Sequence, residues 1–278
     1  RHCGLIMSYK IYFLLLNLLY SGSCFSSGRL IIGRSSPPDA SNALGVYDGT
    51  PTTIQKHPYM ASFLSNNVFL CAATIVSRSW VVTLGSCAYG LDPSELTVVA
   101  GSDDSSTGTV YTVQGVTVHP HYNQPVYDYD YACIQINGTF KWSKKVKPVK
   151  LPRKNPKVNS NLVVAGWGDT TTIGRRESNS QLMQGNMKWL ARKACEAAWT
   201  DYGLTWTPRM GCAYNKGKTT LCSGDSGDAF MKKGVFYGMF AAGGEGFCSS
   251  SAIPVLLANI APATAWIKQT TGAKLENK

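Results

Sequence analysis

The sequence predicts an all-β protein, a barrel or a sandwich, from three observations: many short apolar or alternating runs, turn residues at close intervals between them, and little helical periodicity. Examples of the strand-like runs, in order, are 59–64, 73–76, 96–100, 110–118, 132–136, 162–165, 181–189, 229–231 and 235–241, and 72–83 reads as a strand pair. The pairs Asp103-Asp104, Asn137-Gly138 and Lys233-Gly234 punctuate them as turns. Two short helices are expected, at 192–199 and at 262–270, the second with Pro262 early and Gly272 just beyond its end. With 44% hydrophobic and 15% charged residues over 278 positions, the chain can bury a sizeable core and is not disordered. No internal repeat is visible.

The first 23 residues read as a targeting segment. Met7 and Lys10 precede an apolar run at 11–20, and Ser21-Gly22-Ser23 offers a small-residue cleavage site. A buried strand or an anchor is the other reading of that run, but it is too short to span a bilayer. Residues 24–45, rich in Ser, Gly, Pro and Ala, suit a pro-segment or flexible lead, which leaves 46–278 as the mature domain of a secreted protein. Nine cysteines in such a chain point to disulfides, with at least one thiol removed or free. Cys3 and Cys24 fall in or beside the leader, and Cys133, inside an apolar run, is expected as a buried thiol. No C-x-x-C or paired-histidine spacing occurs, so neither zinc nor another cofactor is expected. The formal charge is +11, of which +3 precedes Val46, leaving +8 on the mature part and favouring acidic partners.

Trp80-Val81-Val82-Thr83-Leu84-Gly85-Ser86-Cys87 resembles the W-V-L-T-A-A-H-C segment of trypsin-like serine proteases, with Ser86 in the slot of the basic histidine. Cys222-Ser223-Gly224-Asp225-Ser226-Gly227-Asp228 is similar to the family's nucleophile loop C-x-G-D-S-G-G, and Asp130-Tyr131-Ala132-Cys133-Ile134 to its D-I-A-L-L run. Ala165-Gly166-Trp167-Gly168 and Trp266-Ile267 extend the likeness from about Val46 to Ile267. The resemblance implies two six-stranded antiparallel barrels, at about 46–140 and 155–255, joined by 141–154 and closed by a C-terminal helix. It also implies bridges Cys71–Cys87, Cys195–Cys212 and Cys222–Cys248.

Chemistry carried over from the family depends on a base beside the serine hydroxyl and a carboxylate that orients the base. Ser226 and Asp130 are retained, but Ser86 between them cannot accept a proton near neutral pH, so proteolysis should fail. In subtilisin, which bears the same triad on another fold, loss of the histidine alone costs on the order of 10^6 in kcat. His57, His119 and His121 are expected as solvent-exposed loop residues, out of the roughly 3 Å reach that a base needs. Asp228, replacing a glycine, is expected to add charge and bulk beside Gly224 and Ser226, whose backbone would form the oxyanion hole. Ala241 and Ala242 replace the first two residues of the S-W-G edge ahead of Gly243. Val255 stands where a glycine lines the specificity pocket, and Thr220 lies at its base in place of trypsin's aspartate. Gly45 before Val46 offers no trypsin-like activation site.

Residues 141–157 hold eight basic residues and no acidic one: a solvated connector, or a docking surface centred on Lys141, Lys144, Lys145, Lys147, Lys150, Arg153 and Lys154. Asn137-Gly138-Thr139 is a glycosylation sequon. Nucleic acid is excluded as a partner for want of an aromatic stacking platform. Among trypsin-like proteins, the mutated triad and the three expected bridges most resemble the scabies mite inactivated serine protease paralogues, relatives of the group 3 mite allergens. That resemblance implies a secreted, non-proteolytic binding protein that inhibits host complement or related plasma defences. A weakly active hydrolase of altered specificity and a module that sequesters acidic polysaccharide are the alternatives.

Overall fold

A computed structural model describes residues 46–168, 181–216, 218–243 and 253–277. The first barrel comprises β2 (Met60–Ser65), β3 (Val68–Ser77), β4 (Trp80–Thr83), β5 (Leu96–Ala100), β6 (Thr109–Val118) and β7 (Ala132–Ile136), preceded by a short β1 (Thr50–Pro51). It closes in the order β2-β3-β4-β7-β6-β5, all neighbours antiparallel. Alternation along the strands sends Phe63, Ile75, Val81, Val98, Ile134 and Ile136 into one core, each essentially without solvent contact. Burial of such side chains contributes roughly 1.5–3 kcal/mol apiece.

The second barrel uses β8 (Asn161–Gly166), β9 (Met183–Trp189), β10 (Met210–Tyr214), β11 (Ala229–Lys232), β12 (Val235–Ala242) and β13 (Val255–Asn259). The order β9-β10-β13-β12-β11-β8 is sealed by the β8–β9 pairing, which makes this sheet a closed six-stranded barrel as well. Between strands lie a one-turn α1 (Gly85–Ala88) and α2 (Arg192–Trp199), and the described chain ends with α3 (Ile260–Thr271). The terminal helix starts two residues earlier than its proline suggests. Pro262 sits in its first turn, where a missing N–H costs nothing, and Gly272 at φ 67° terminates it, its N–H donating to Lys268 O at 2.9 Å.

One boundary differs from the expected 46–140. Thr50 and Pro51 pair with Gln184 and Met183 of β9, and Val46 is fully buried in the second barrel's core. Residues 46–51 therefore belong with the second barrel, and the first begins at Met60. The chain's length after Val46, enough to cross to β9 before turning back, gives the physical reason. Two side chains tie the barrels: the Tyr131 hydroxyl donates to Asn259 O at 2.6 Å, and the Trp167 indole donates to Asp103 O at 2.8 Å. Disulfides join Cys71 to Cys87 and Cys195 to Cys212. Cys222 is also disulfide-bonded, while Cys248 lies outside the described residues, as do the leader and the lead at 1–45. Cys133 is a free, buried thiol.

Candidate functional site

β4 delivers its end to α1, and Asp130 lies two residues ahead of β7, so that the two paired strands bring Ser86 and Asp130 together. The Ser86 hydroxyl donates to Asp130 Oδ2 at 3.0 Å, and the Ser86 N–H donates to Asp130 Oδ1 at 2.6 Å. A Cβ on Gly85 would sit 3.2 Å from Asp130 Oδ1, from the Tyr122 ring and from the Tyr131 amide, so a side chain here would be tight against all three. Burial pushes the Asp130 carboxyl up to about 6, a rise that the Ser86 bonds oppose. Tyr122, which no sequence signal singled out, packs into the same corner. Its hydroxyl is buried near Ser86, and burial, then the nearby Asp130 charge, raises it to about 12 against the opposing effect of Ser86. It stays protonated at neutral pH and is no base.

Ser226 lies on a tight loop. Asp225 N–H donates to Cys222 O at 3.1 Å, Asp228 N–H to Asp225 O at 2.9 Å, and Ala72 N–H reaches across from β3 to Ser226 O at 2.8 Å. Gly227 at φ 87° could carry no side chain: a Cβ would lie 2.2 Å from Ala72 O. The Ser226 hydroxyl is partly exposed and takes no hydrogen bond among the described residues. Gly224, at φ 91°, supplies the other expected oxyanion-hole amide.

The expectation of exposed loop histidines is corrected for two of the three. His57 is 5% exposed, its Nδ1 on the Tyr59 hydroxyl at 3.0 Å and its Nε2 against Gln184 Oε1 at 2.7 Å. Burial lowers its pKa by stripping water from the charged ring, Lys56 lowers it further, and the Gln184 hydrogen bond opposes both. His119 is buried beneath Tyr129, stacked at 4.6 Å, with Trp266 at 4.7 Å; packing in an aromatic nest explains a placement that the V-H-P-H-Y turn did not suggest. His121 is exposed. Among the described residues no histidine bonds Ser86, Asp130 or Ser226.

Asp228 is corrected too. Its side chain turns inward, away from solvent, because the room lies beneath the loop: a Cβ on Gly166 would fall 1.8 Å from Asp228 Oδ2 and 2.4 Å from Asp225 Oδ1. Asp225 accepts the N–H groups of Gly168 and Cys222, both at 2.8 Å. The two Asp228 oxygens accept nothing. Burial, and then the neighbouring Asp225 carboxylate, raise the Asp228 pKa far above the carboxylate range. Burial and Asp225 together favour the protonated form of Asp228, whose hydroxyl faces the Asp225 carboxylate and whose other oxygen stays unpaired among the described residues.

Around the expected specificity pocket, Val255 is fully buried with Leu221 and Phe240 in the second barrel's core, Thr220 is buried with its hydroxyl unpartnered, and Gly243 is half-buried. The Asn137 side chain is exposed in the turn after β7. Among the described residues no group of three or more potential ligands could hold a metal, and no helix is long and apolar enough to cross a membrane.

Comparison with known proteins places these features. A sequence model of the trypsin family matches residues 46–267. Trypsin 5G1 of Aedes aegypti is 29% identical over 251 residues, 89% of this chain and 86% of that protein. Trypsin delta of Drosophila melanogaster is 31% identical, over 80% of this chain and 87% of its own. The crystal structure of scabies mite inactivated protease paralogue S-D1 superposes with a TM-score of 0.74 at 23% identity, covering 84% of this chain and all of that one. Mouse neuropsin superposes at 0.71 and 26% identity, over 80% and 98%.

Proposed function

The chain belongs to the trypsin family, and from that premise we propose that it is a secreted, proteolytically inactive member that acts by binding. One observation carries the reading: the Ser226 hydroxyl has no hydrogen-bonded base, and the position beside Asp130 is filled by Ser86, itself a donor to that carboxylate. Without a proton acceptor the hydroxyl is not activated, and what the loop and its amides retain is worth roughly 10^3 to 10^4 over water. Val255 and Thr220, in the places of the family's pocket residues, add occlusion of the specificity pocket beneath Gly243. The scabies mite protein sharing this fold is described as inactivated, and the same description is extended here.

A fluorophosphonate probe tests it. Folded protein should remain unlabelled at Ser226; stoichiometric labelling abolished by Ser226→Ala would instead establish a hydrolase of altered specificity.

The partner class implied by the sequence resemblance is host complement or related plasma proteins. Pull-down from host serum with the 46–278 segment should recover complement components, and that segment should suppress serum haemolysis. Normal haemolysis at saturating protein would remove complement as the target while leaving the inactive cleft untouched.

A further inference from the structure

We propose a binding site for a linear sulfated polysaccharide, formed by two basic grooves that flank Pro148 and Val149 on the connector between the barrels. The connector forms neither helix nor strand. Val146, Val149, Leu151 and Pro152 anchor it inward, while Lys141, Lys144, Lys145, Lys147, Lys150, Arg153, Lys154 and Lys157 all stay exposed.

On one side of the Pro148–Val149 ridge lies a cavity of about 700 Å³ bearing Arg78, Lys150 and Lys274 beside Trp80 and Trp142. On the other lies one of about 460 Å³ bearing Lys56, Lys147, Lys232 and Lys233. Neither groove is lined by a carboxylate. The ion pairs among the described residues are Arg192–Glu196 and Arg209–Asp128, so none of these seven cations is neutralised by one. Lys150 and Lys232 donate only to neutral acceptors, Asn277 Oδ1 and Ser160 Oγ. Glu276, which lies near the connector, is occupied by the Arg153 N–H at 2.7 Å.

Two features select the ligand. Cations on both sides of a shared ridge form a path, which suits a chain with repeated charges better than a single anion. Trp142 is 37% exposed, with the Arg78 guanidinium 5.5 Å over its ring and Phe140 stacked at 6.3 Å, and its exposed edge offers apolar contact to a sugar ring next to a cation for its sulfate. An extended acidic peptide would need backbone groups to pair with. Here the N–H groups of Lys147, Val149, Lys150 and Leu151 are already spent on Pro58, Ile75, Gly234 and Lys274 carbonyls. Recognition must come from side chains. The site includes none of Ser86, Asp130 or Ser226, so it stands or falls separately from the inactive cleft.

The test is calorimetric titration of the 46–278 protein with a heparin-derived octasaccharide at 0.15 M NaCl. Binding is expected, weakening steeply as salt rises because bound counterions are released. Lys147→Ser, Lys150→Ser and Lys233→Ser together should weaken it at least tenfold and flatten the salt dependence. The equal charge loss of Lys144→Ser, Lys145→Ser and Lys154→Ser, outside both grooves, should cost under threefold. Trp142→Ala should weaken binding severalfold at unchanged salt slope. Absence of binding, equal weakening by the two triple variants, or equal affinity for a polyglutamate peptide of matched charge would each overturn the proposal. All six lysines are exposed, and thermal melts confirm that the variants fold.

Discussion

Ser86 does structural duty that its type alone does not announce. Asp130 is 3% exposed, and a carboxylate so buried is tolerable only while donors face it. Ser86 supplies two, one from the backbone and one from the hydroxyl. Ser86→Ala removes the second and leaves Oδ2 desolvated, so stability at pH 7 should fall by about 1–3 kcal/mol in urea unfolding. The Asp130 pKa, now about 6, should rise further. An unchanged midpoint would show that water already serves that oxygen. The imidazole's absence was legible because a fixed motif has one aberrant letter. Tyr122 was not legible: its role comes from a turn folding back onto Gly85, and a single tyrosine in V-H-P-H-Y carries no such address. Asp228 shows the same limit, since sequence gives the presence of a carboxyl but not the direction in which it points.

Elements were read more faithfully than side chains: in β9, Met183, Gly185, Met187 and Trp189 are buried while the residues between them turn outward, and such period-two alternation reports a one-sided core directly. β10 and β13 were missed. Their residues Met210–Tyr214 and Val255–Asn259 are buried almost throughout, so no polar face alternates with the apolar one, and a continuous short apolar run does not declare its type. β1 was missed as well, since two residues pair only because β9 lies beside them. Around β10, the Cys195–Cys212 bridge fastens α2 to the sheet beside Trp199, Trp206 and Leu256. With the two cysteines 17 positions apart in sequence, replacing both by alanine should destabilise the protein by about 3 kcal/mol on loop entropy alone. Guanidinium unfolding measures it, and a loss below about 1 kcal/mol would mean that the tryptophan cluster holds α2 without the bridge. At the end of α3, Gly272→Ala forces an alanine into the left-handed region and should cost about 1 kcal/mol in the same assay.

At the scale of the molecule, buried titrating groups set an unusual response to pH. Asp130 and Asp228 have raised pKa values, so between pH 4 and their folded values the native chain keeps protons that the unfolded chain releases, and stability falls as pH rises. His57 and His119 are lowered by burial, so below about 6.5 the unfolded chain takes up protons that the fold refuses, and stability falls as pH drops. The two trends oppose each other between about pH 4 and 6.5. Asp130 completes its change by about pH 7, and the histidines are neutral in both states above about 7.5, which leaves Asp228 dominant until Cys133, whose thiol burial also raises, begins to add to the same trend above about pH 8. Among the described residues, Asp225 and Tyr59 are the ionisable groups acting on Asp228, and neither is a cation. From about pH 7.5 upward the protein should therefore lose about 1.4 kcal/mol per pH unit, for as long as Asp228 holds its proton. Asp228→Asn keeps the shape and an N–H for Asp225 but has no proton to lose. Its stability, followed by thermal melts from pH 7.5 to 8.5, should fall much less steeply than the parent's and exceed it at the alkaline end. Parallel curves for the two proteins would mean that Asp228 is ionised in the fold, and the neutral carboxyl beneath the Ser226 loop would be lost with it.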